Sequence, residues 1–191
     1  MEFIKTDIEG VIIIEPKIFG DKRGYFCETF KKELFDQHIK NFNIVQENES
    51  MSGFGVLRGL HIQQPPYCQA KLVSVAVGKV IDVAVDVRTD SLTFGKYVAV
   101  ELSDLNKRRF FIPRGFAHGF VVLSQTAIFQ YKVDNIYSKE SEAGVMFNDP
   151  QIGIDWSVAP ADMLLSDKDL LHPALNKNNF FTTEEYNRNP L

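Results

Sequence analysis

Between Lys71 and Val133 the chain is a succession of short Val-, Ile- and Phe-rich runs separated by turn residues: "KLVSVAVGKVIDVAVDV", "KYVAVEL", "RRFFI", "HGFVVL" and "TAIFQYKV". β-Branched and aromatic residues at alternate positions suit a pleated, packed surface. Strands repeating at such short intervals predict an antiparallel sandwich or barrel, so the fold class is mainly β. Helix signals are sparse. "KKELFDQHIKNF" (31–42) places Leu34, Phe35, His38, Ile39 and Phe42 at spacings of three and four, which predicts one amphipathic helix over that range. From about residue 157 turn residues dominate, with one or two short helices expected. With no linker, repeat or low-complexity tract, the chain reads as a single domain over 1–191, in which 157–191 is a C-terminal extension packed on the β body.

The 191 residues, 45% of them hydrophobic, are enough to bury a real core. A net charge of −4, from 25 acidic and 21 basic residues, argues against a broad polyanion-binding surface and so against nucleic acid as a partner, while leaving room for a local arginine cluster on one phosphorylated ligand. No apolar run approaches membrane-spanning length, and "MEFIKTDIEG" has no apolar leader core, so no membrane association is expected. The two cysteines, Cys27 and Cys68, read as free thiols in a reducing cytoplasm.

Alternation also sorts side chains by face. In "IDVAVDV", Ile81, Val83, Val85 and Val87 share one face and Asp82, Ala84 and Asp86 the other, the pattern of a half-buried strand. His118 has the parity of Phe116, Phe120 and Val122; Lys71 that of Val73, Val75 and Val77; Tyr131 that of Phe129 and Val133. Three groups able to exchange protons are thus expected to project into one apolar interior, and a barrel interior that collects such groups is a pocket.

Each group alone has an ordinary explanation: a satisfied core histidine, a strand-end lysine reaching water, a core tyrosine. Together they carry more. His61 and Lys71 flank Pro65-Pro66, read as the turn of one hairpin, and "LLSDKD" supplies Asp169, with Asp167 behind it, as a carboxylate to fix a histidine tautomer and stabilise its protonated form. Arg23 and Arg58 read alone as surface ion pairs, or together as a bidentate grip on a phosphate. Strict alternation puts Arg58 and His61 on opposite faces, so a bulge is expected at Gly59. A metal is disfavoured, because the H-x-H pair of mononuclear β-barrel sites reads His61-Ile62-Gln63 here. "GFGVLRG" lacks the Lys-Ser/Thr ending of a phosphate loop, and no G-x-S-x-G nucleophile elbow occurs.

Read in order, "FGDKRGYFCETF", "VQENES", "LRGLHIQ", "QAKLVSVAVGKVIDVAVDVR", "TFGKYVAVEL", "IPRGFAHGF", "QYKVDNIY", "NDPQIGIDW" and "LLSDKD" resemble the dTDP-4-dehydrorhamnose 3,5-epimerase family from about residue 3 to residue 175. The resemblance implies a cupin-type jelly-roll barrel and a cofactor-independent epimerase, without metal, that inverts C3, C5 or both of a nucleotide-activated 4-keto-6-deoxy hexose in polysaccharide biosynthesis. It further implies His61 as base, Asp169 as its orienting carboxylate, Tyr131 as acid and Lys71 as enolate stabiliser. Substrate-binding positions carry over to Arg23, Glu28, Gln46, Asn48, Arg58, His118, Glu142 and Lys168, with Tyr137 stacking near the base. Family members are homodimers that exchange N-terminal strands, which would bring Phe26 to the ligand across the interface. Glu47 and Glu49 leave room for a base other than thymine. Two rival functions are a metal-dependent cupin enzyme, opposed by the missing H-x-H pair, and a non-catalytic sugar-nucleotide-binding cupin, opposed by the intact His61, Lys71, Tyr131 and Asp169 set.

Overall fold

The alternating runs pair into two antiparallel sheets packed face to face, described here from a computed structural model over residues 1–188; residues 189–191, the end of the expected extension, lie outside the described residues. In chain order the strands are β1 (Glu2–Lys5), β2 (Ile12–Glu15), β3 (Ile18–Asp21), β4 (Gly24–Cys27), β5 (Gln46–Gly53), β6 (Leu57–Gln63), β7 (Lys71–Val77), β8 (Lys79–Asp86), β9 (Tyr97–Ser103), β10 (Arg109–Ile112), β11 (Phe116–Val122), β12 (Thr126–Val133) and β13 (Glu142–Gly144). One sheet has the order β1-β2-β10-β7-β12-β5 and the other β13-β6-β11-β8-β9, while β3 and β4 form a separate hairpin. This is a jelly-roll sandwich, mainly β as expected. The non-sequential strand order is what brings residues distant in the chain onto facing inner surfaces.

Both sheets are covered on their outer faces as well, which changes the meaning of the alternation. Between the sheets, Val73, Val75, Phe110 and Phe129 meet Val80, Ala84, Phe116, Phe120 and Val122. On the outside of the five-stranded sheet, Val83, Val85, Ala117 and Val121 pack under Trp156, Leu175, Phe180, Phe181 and Tyr186 of the C-terminal segment. On the outside of the other sheet, Ile12, Ile14, Leu72 and Phe111 pack against Phe35, Ile39 and Phe42. Strand β8 is therefore not half-buried: Asp82 and Asp86 are fully buried with its valines. The polar face turns to the sandwich interior at Asp82 and to a half-buried arginine at Asp86, whose carboxylate accepts from Arg88, Ser91 and Thr93.

Two further expectations are corrected. The helix is shorter than 31–42: α1 spans Lys32–His38. Ile39 is already extended and Asn41 adopts a left-handed conformation, with φ of 61°, that ends the turn. Even so, Phe35, Ile39 and Phe42 reach the same apolar patch. Pro65-Pro66 does not close a hairpin, because β6 and β7 belong to different sheets. The segment carries the chain from one sheet to the other, so His61 and Lys71 stand on facing strands rather than adjacent ones.

The bulge expected at Gly59 is present. The β6–β11 register shifts between His118, opposite His61, and Phe120, opposite Arg58. Gly59 has φ of 132°, and a Cβ on it would lie 2.6 Å from Gly119 Cα, while one on Gly119 would lie 2.7 Å from the Arg58 carbonyl oxygen. The two glycines let the backbones touch where the strand must turn its side chains. Gly59→Ala is expected to destabilise by about 3 kcal/mol or more through backbone strain and overlap. That corresponds to a Tm lower by roughly 6–12 °C for a chain of this size, measurable by calorimetry.

Candidate active site

Bulging β6 at Gly59 directs both Arg58 and His61 into a cavity of about 200 Å³ between the sheets, lined also by Glu49, Ser50, Lys71, His118, Phe120, Phe129 and Tyr131. The strands contributing these groups are β5 and β6, β7, β11 and β12, so the site depends on the sandwich rather than on any one hairpin. On β12, Tyr131 faces Asn48 of β5 in register. Gln46 donates to Asn48 Oδ1 at 2.8 Å, tying another polar side chain of β5 to this edge. The Arg58 Nε–H donates to Ser52 Oγ at 3.1 Å.

Behind His61 stands Asp169, buried in the short helix α2 (Asp167–Leu170), whose first turn is capped by Ser166. His61 Nε2 lies 2.5 Å from Asp169 Oδ1. Burial would raise the Asp169 carboxyl, but the His61 and Ser166 hydrogen bonds hold it below the usual carboxylate range. An ionised Asp169 at Nε2 fixes the proton there and leaves Nδ1 of a neutral His61 with its lone pair. Beside the pair runs a larger cavity of about 720 Å³, lined by Tyr137, Glu142, Lys168 and His172 among others. The Tyr137 hydroxyl donates to Glu142 Oε2 at 2.8 Å, and Lys168 is ion-paired with Glu142.

Burial sets the remaining proton affinities. Lys71 is enclosed enough that desolvation pushes its ammonium down to about 8, against the pull of Asp82 and Glu142. Burial raises the Tyr131 phenol, opposed by Arg58 and Asn48, so that it carries its proton at neutral pH. His118 and Asp82 form a buried pair, with Nε2 3.0 Å from each carboxylate oxygen. Burial lowers His118 and raises Asp82 while each opposes the other's shift. Asp82 was not among the residues singled out from the sequence. Alternation set it on the face opposite Ile81, Val83 and Val85, and only the second sheet, packed over that face, buries it.

Arg23, Phe26 and Glu28 are not gathered into this cavity within the chain. Arg23 and Phe26 lie on the β3–β4 hairpin with exposures of 84% and 70%, and Arg23 pairs with its neighbour Asp21. Glu28 follows β4 and is exposed too. His172, placed by its sequence only in the tail, is instead inside the site: with His61 and Asp169 it forms a trio whose donor atoms lie within 4.8 Å of one another.

A jelly-roll sandwich whose interior holds a carboxylate-backed histidine opposite a lysine and a protonated tyrosine is equipped to move a proton on and off a carbon acid. The comparisons with known proteins give that class its particular family. The model of the dTDP-4-dehydrorhamnose 3,5-epimerase family matches residues 5–177. The Shigella flexneri dTDP-4-dehydrorhamnose 3,5-epimerase is 53% identical over 171 residues, 89% of this chain and 93% of that protein. Among solved structures, the Elizabethkingia anophelis dTDP-4-dehydrorhamnose 3,5-epimerase superposes with a TM-score of 0.88 at 52% identity, covering 94% of this chain and 99% of that one. The Legionella pneumophila dTDP-6-deoxy-D-glucose-3,5-epimerase, solved in complex with dTDP-4-keto-L-rhamnose, gives 0.89 at 45% identity, covering 95% and 97%. The chain belongs to the dTDP-4-dehydrorhamnose 3,5-epimerase family.

Proposed function

We propose that this protein is an epimerase that inverts C3, C5 or both of a nucleotide-diphosphate 4-keto-6-deoxy hexose, by removing a proton to form an enolate and returning one to the opposite face. The observation that carries the reading is the 2.5 Å contact of His61 Nε2 with the ionised Asp169 carboxylate, set across a cavity from Lys71 and Tyr131. The C4 ketone makes the hydrogens on C3 and C5 acidic. His61 Nδ1 takes one, the C–H bond breaking as N–H forms, and the resulting imidazolium faces Asp169. Negative charge develops on the C4 oxygen, where the Lys71 ammonium stabilises it, an interaction stronger in the transition state than in the ground state. Tyr131, kept protonated by burial, donates to the carbon from the other side. The substrate's own ketone supplies the acidity, so the chemistry asks for no redox cofactor.

Arg58, Gln46, Asn48, His118, Tyr137, Glu142 and Lys168 hold the nucleotide and sugar around this centre. Two chains exchange their N-terminal strands in a homodimer, so that Arg23, Phe26 and Glu28 of one chain complete the site of the other. Support for this comes from the exposed apolar side chains of the β3–β4 hairpin, Phe19, Tyr25 and Phe26. A single domain spans 1–191, with 157–191 as its C-terminal extension, and the protein acts in the cytoplasm, where Cys27 and Cys68 remain free thiols. The test is solvent exchange. Incubation with dTDP- and GDP-linked 4-keto sugars in D₂O is expected to place deuterium at C3 and C5, read by NMR. Failure of every such sugar to exchange would overturn the reading.

A further inference from the structure

The turn that supplies Asp169 also supplies His172, which the epimerisation chemistry does not use. Its side chain is 10% exposed, and its Nε2 is buried without a hydrogen-bond partner. Asp169 Oδ1 stands 3.6 Å from it, the same oxygen that His61 Nε2 meets at 2.5 Å. The two imidazoles stand edge to face with ring centroids 5.5 Å apart. Room for the second ring comes from β13: a Cβ on Gly144 would lie 2.4 Å from His172 Cε1. A buried nitrogen left without a partner is unfavourable by about 1–3 kcal/mol, and such a group calls for a ligand to explain it.

We propose that His61 Nε2, Asp169 Oδ1 and His172 Nε2 form a binding site for a transition-metal ion of the zinc class, and that occupancy switches the enzyme off. The trio differs from the H-x-H set of metal-dependent β-barrels, since only His61 lies on a barrel strand. Two imidazole nitrogens and one carboxylate suit Zn²⁺, Ni²⁺ or Cu²⁺ and do not suit the all-oxygen preference of Mg²⁺ or Ca²⁺. Neighbouring donors on a tetrahedral zinc stand about 3.3 Å apart, given bonds of about 2.0–2.2 Å. The observed 2.5 and 3.6 Å separations bracket that value, and the three residues' donor atoms all lie within 4.8 Å of one another. His61 is 32% exposed and offers the way in, and water completes the coordination.

Inhibition rests on the reading of His61 as the base. A metal takes the Nε2 lone pair, so the ring's single proton moves from Nε2 to Nδ1, and Nδ1 then has no lone pair with which to accept a proton from carbon; the metal also takes for itself the Asp169 charge that would stabilise an imidazolium.

Metal binding is read apart from catalysis by titrating the intact protein with Co²⁺ and following its visible ligand-field absorption, then repeating with His172→Phe and, as a smaller replacement, His172→Asn. The wild type is expected to develop the spectrum and to lose epimerase activity on adding Zn²⁺, with recovery on chelation by EDTA. Both variants are expected to bind metal about 10–100-fold more weakly, and whatever rate each retains without metal is expected to be insensitive to Zn²⁺ at concentrations that silence the wild type. Equal Co²⁺ spectra or equal zinc sensitivity in wild type and both variants would overturn the site. A spectrum that depends on His172 without loss of activity would uphold the site, overturn the switch, and count against His61 as the base.

Discussion

His61→Asn is expected to abolish deuterium incorporation at C3 and C5, lowering turnover by about 10³-fold or more, while nucleotide-sugar affinity changes by less than about tenfold. Asparagine can still occupy the space beside Asp169 and accept or donate a hydrogen bond there, so packing survives, but its amide has no basic lone pair. His61 stands between the ionised Asp169 and the cavity. Removing the base therefore removes an interaction made only as the proton leaves carbon, and the loss falls on kcat rather than on binding. Asp169→Asn is expected to lose about 10²–10⁴-fold, because a side-chain amide donates to Nε2 and stabilises the tautomer whose Nδ1 already carries the proton. NMR of solvent exchange together with calorimetric binding separates the two effects. Exchange that persisted in His61→Asn would remove the base assignment, whatever its rate.

What the sequence could and could not reveal follows the range of the interactions involved. Period-two parity is local, and it placed His118, Lys71 and Tyr131 on inward faces of strands that the sandwich then joined around one cavity. The need for a bulge at Gly59 was legible for the same reason: two inward side chains three residues apart cannot share a face on a regular strand. Sheet membership is not local. Nothing within "QQPPYC" says whether the chain turns back on its own sheet or crosses to the facing one, and the crossing decides that His61 and Lys71 approach from opposite sides. Burial of β8 on both faces depends on Trp156, Leu175 and Tyr186, more than seventy residues further on, so Asp82 read as a solvated acid when it is the buried partner of His118. The same return of the C-terminal segment puts His172 beside Asp169 and His61. Side chains in turn-rich segments carry no periodic signal, and only the folded chain shows what they touch.

Lys71→Met is expected to lose about 10²–10³-fold in kcat and at the same time to make the protein more stable at pH 7. Burial lowers the Lys71 ammonium from 10.5 to about 8 in the folded chain. A depressed folded value for a base means that the unfolded chain binds the proton more tightly, so below about 8 the folded state carries a desolvated charge that opposes folding. Between about 8 and 10.5 the unfolded chain holds more protons than the folded one, and stability from this group rises with pH across that window. Methionine fills similar volume without charge. Its Tm should exceed the wild type's at pH 7, by roughly 2–4 °C for each kcal/mol relieved, and the advantage should shrink as pH rises from 8 toward 10.5. Catalysis needs the charged form, so kcat/KM of the wild type should fall on an alkaline limb near pH 8, and Lys71→Met should lack that limb. With substrate bound, the developing enolate favours the ammonium and moves the limb in kcat to higher pH. Calorimetry at several pH values and pH–rate profiles of the two proteins measure both halves. A variant with undiminished kcat would remove Lys71 from the reaction, and one less stable than wild type at pH 7 would show that its charge is compensated in the fold. The pairing of lost activity with gained stability marks a charge held in the interior for the transition state rather than for folding.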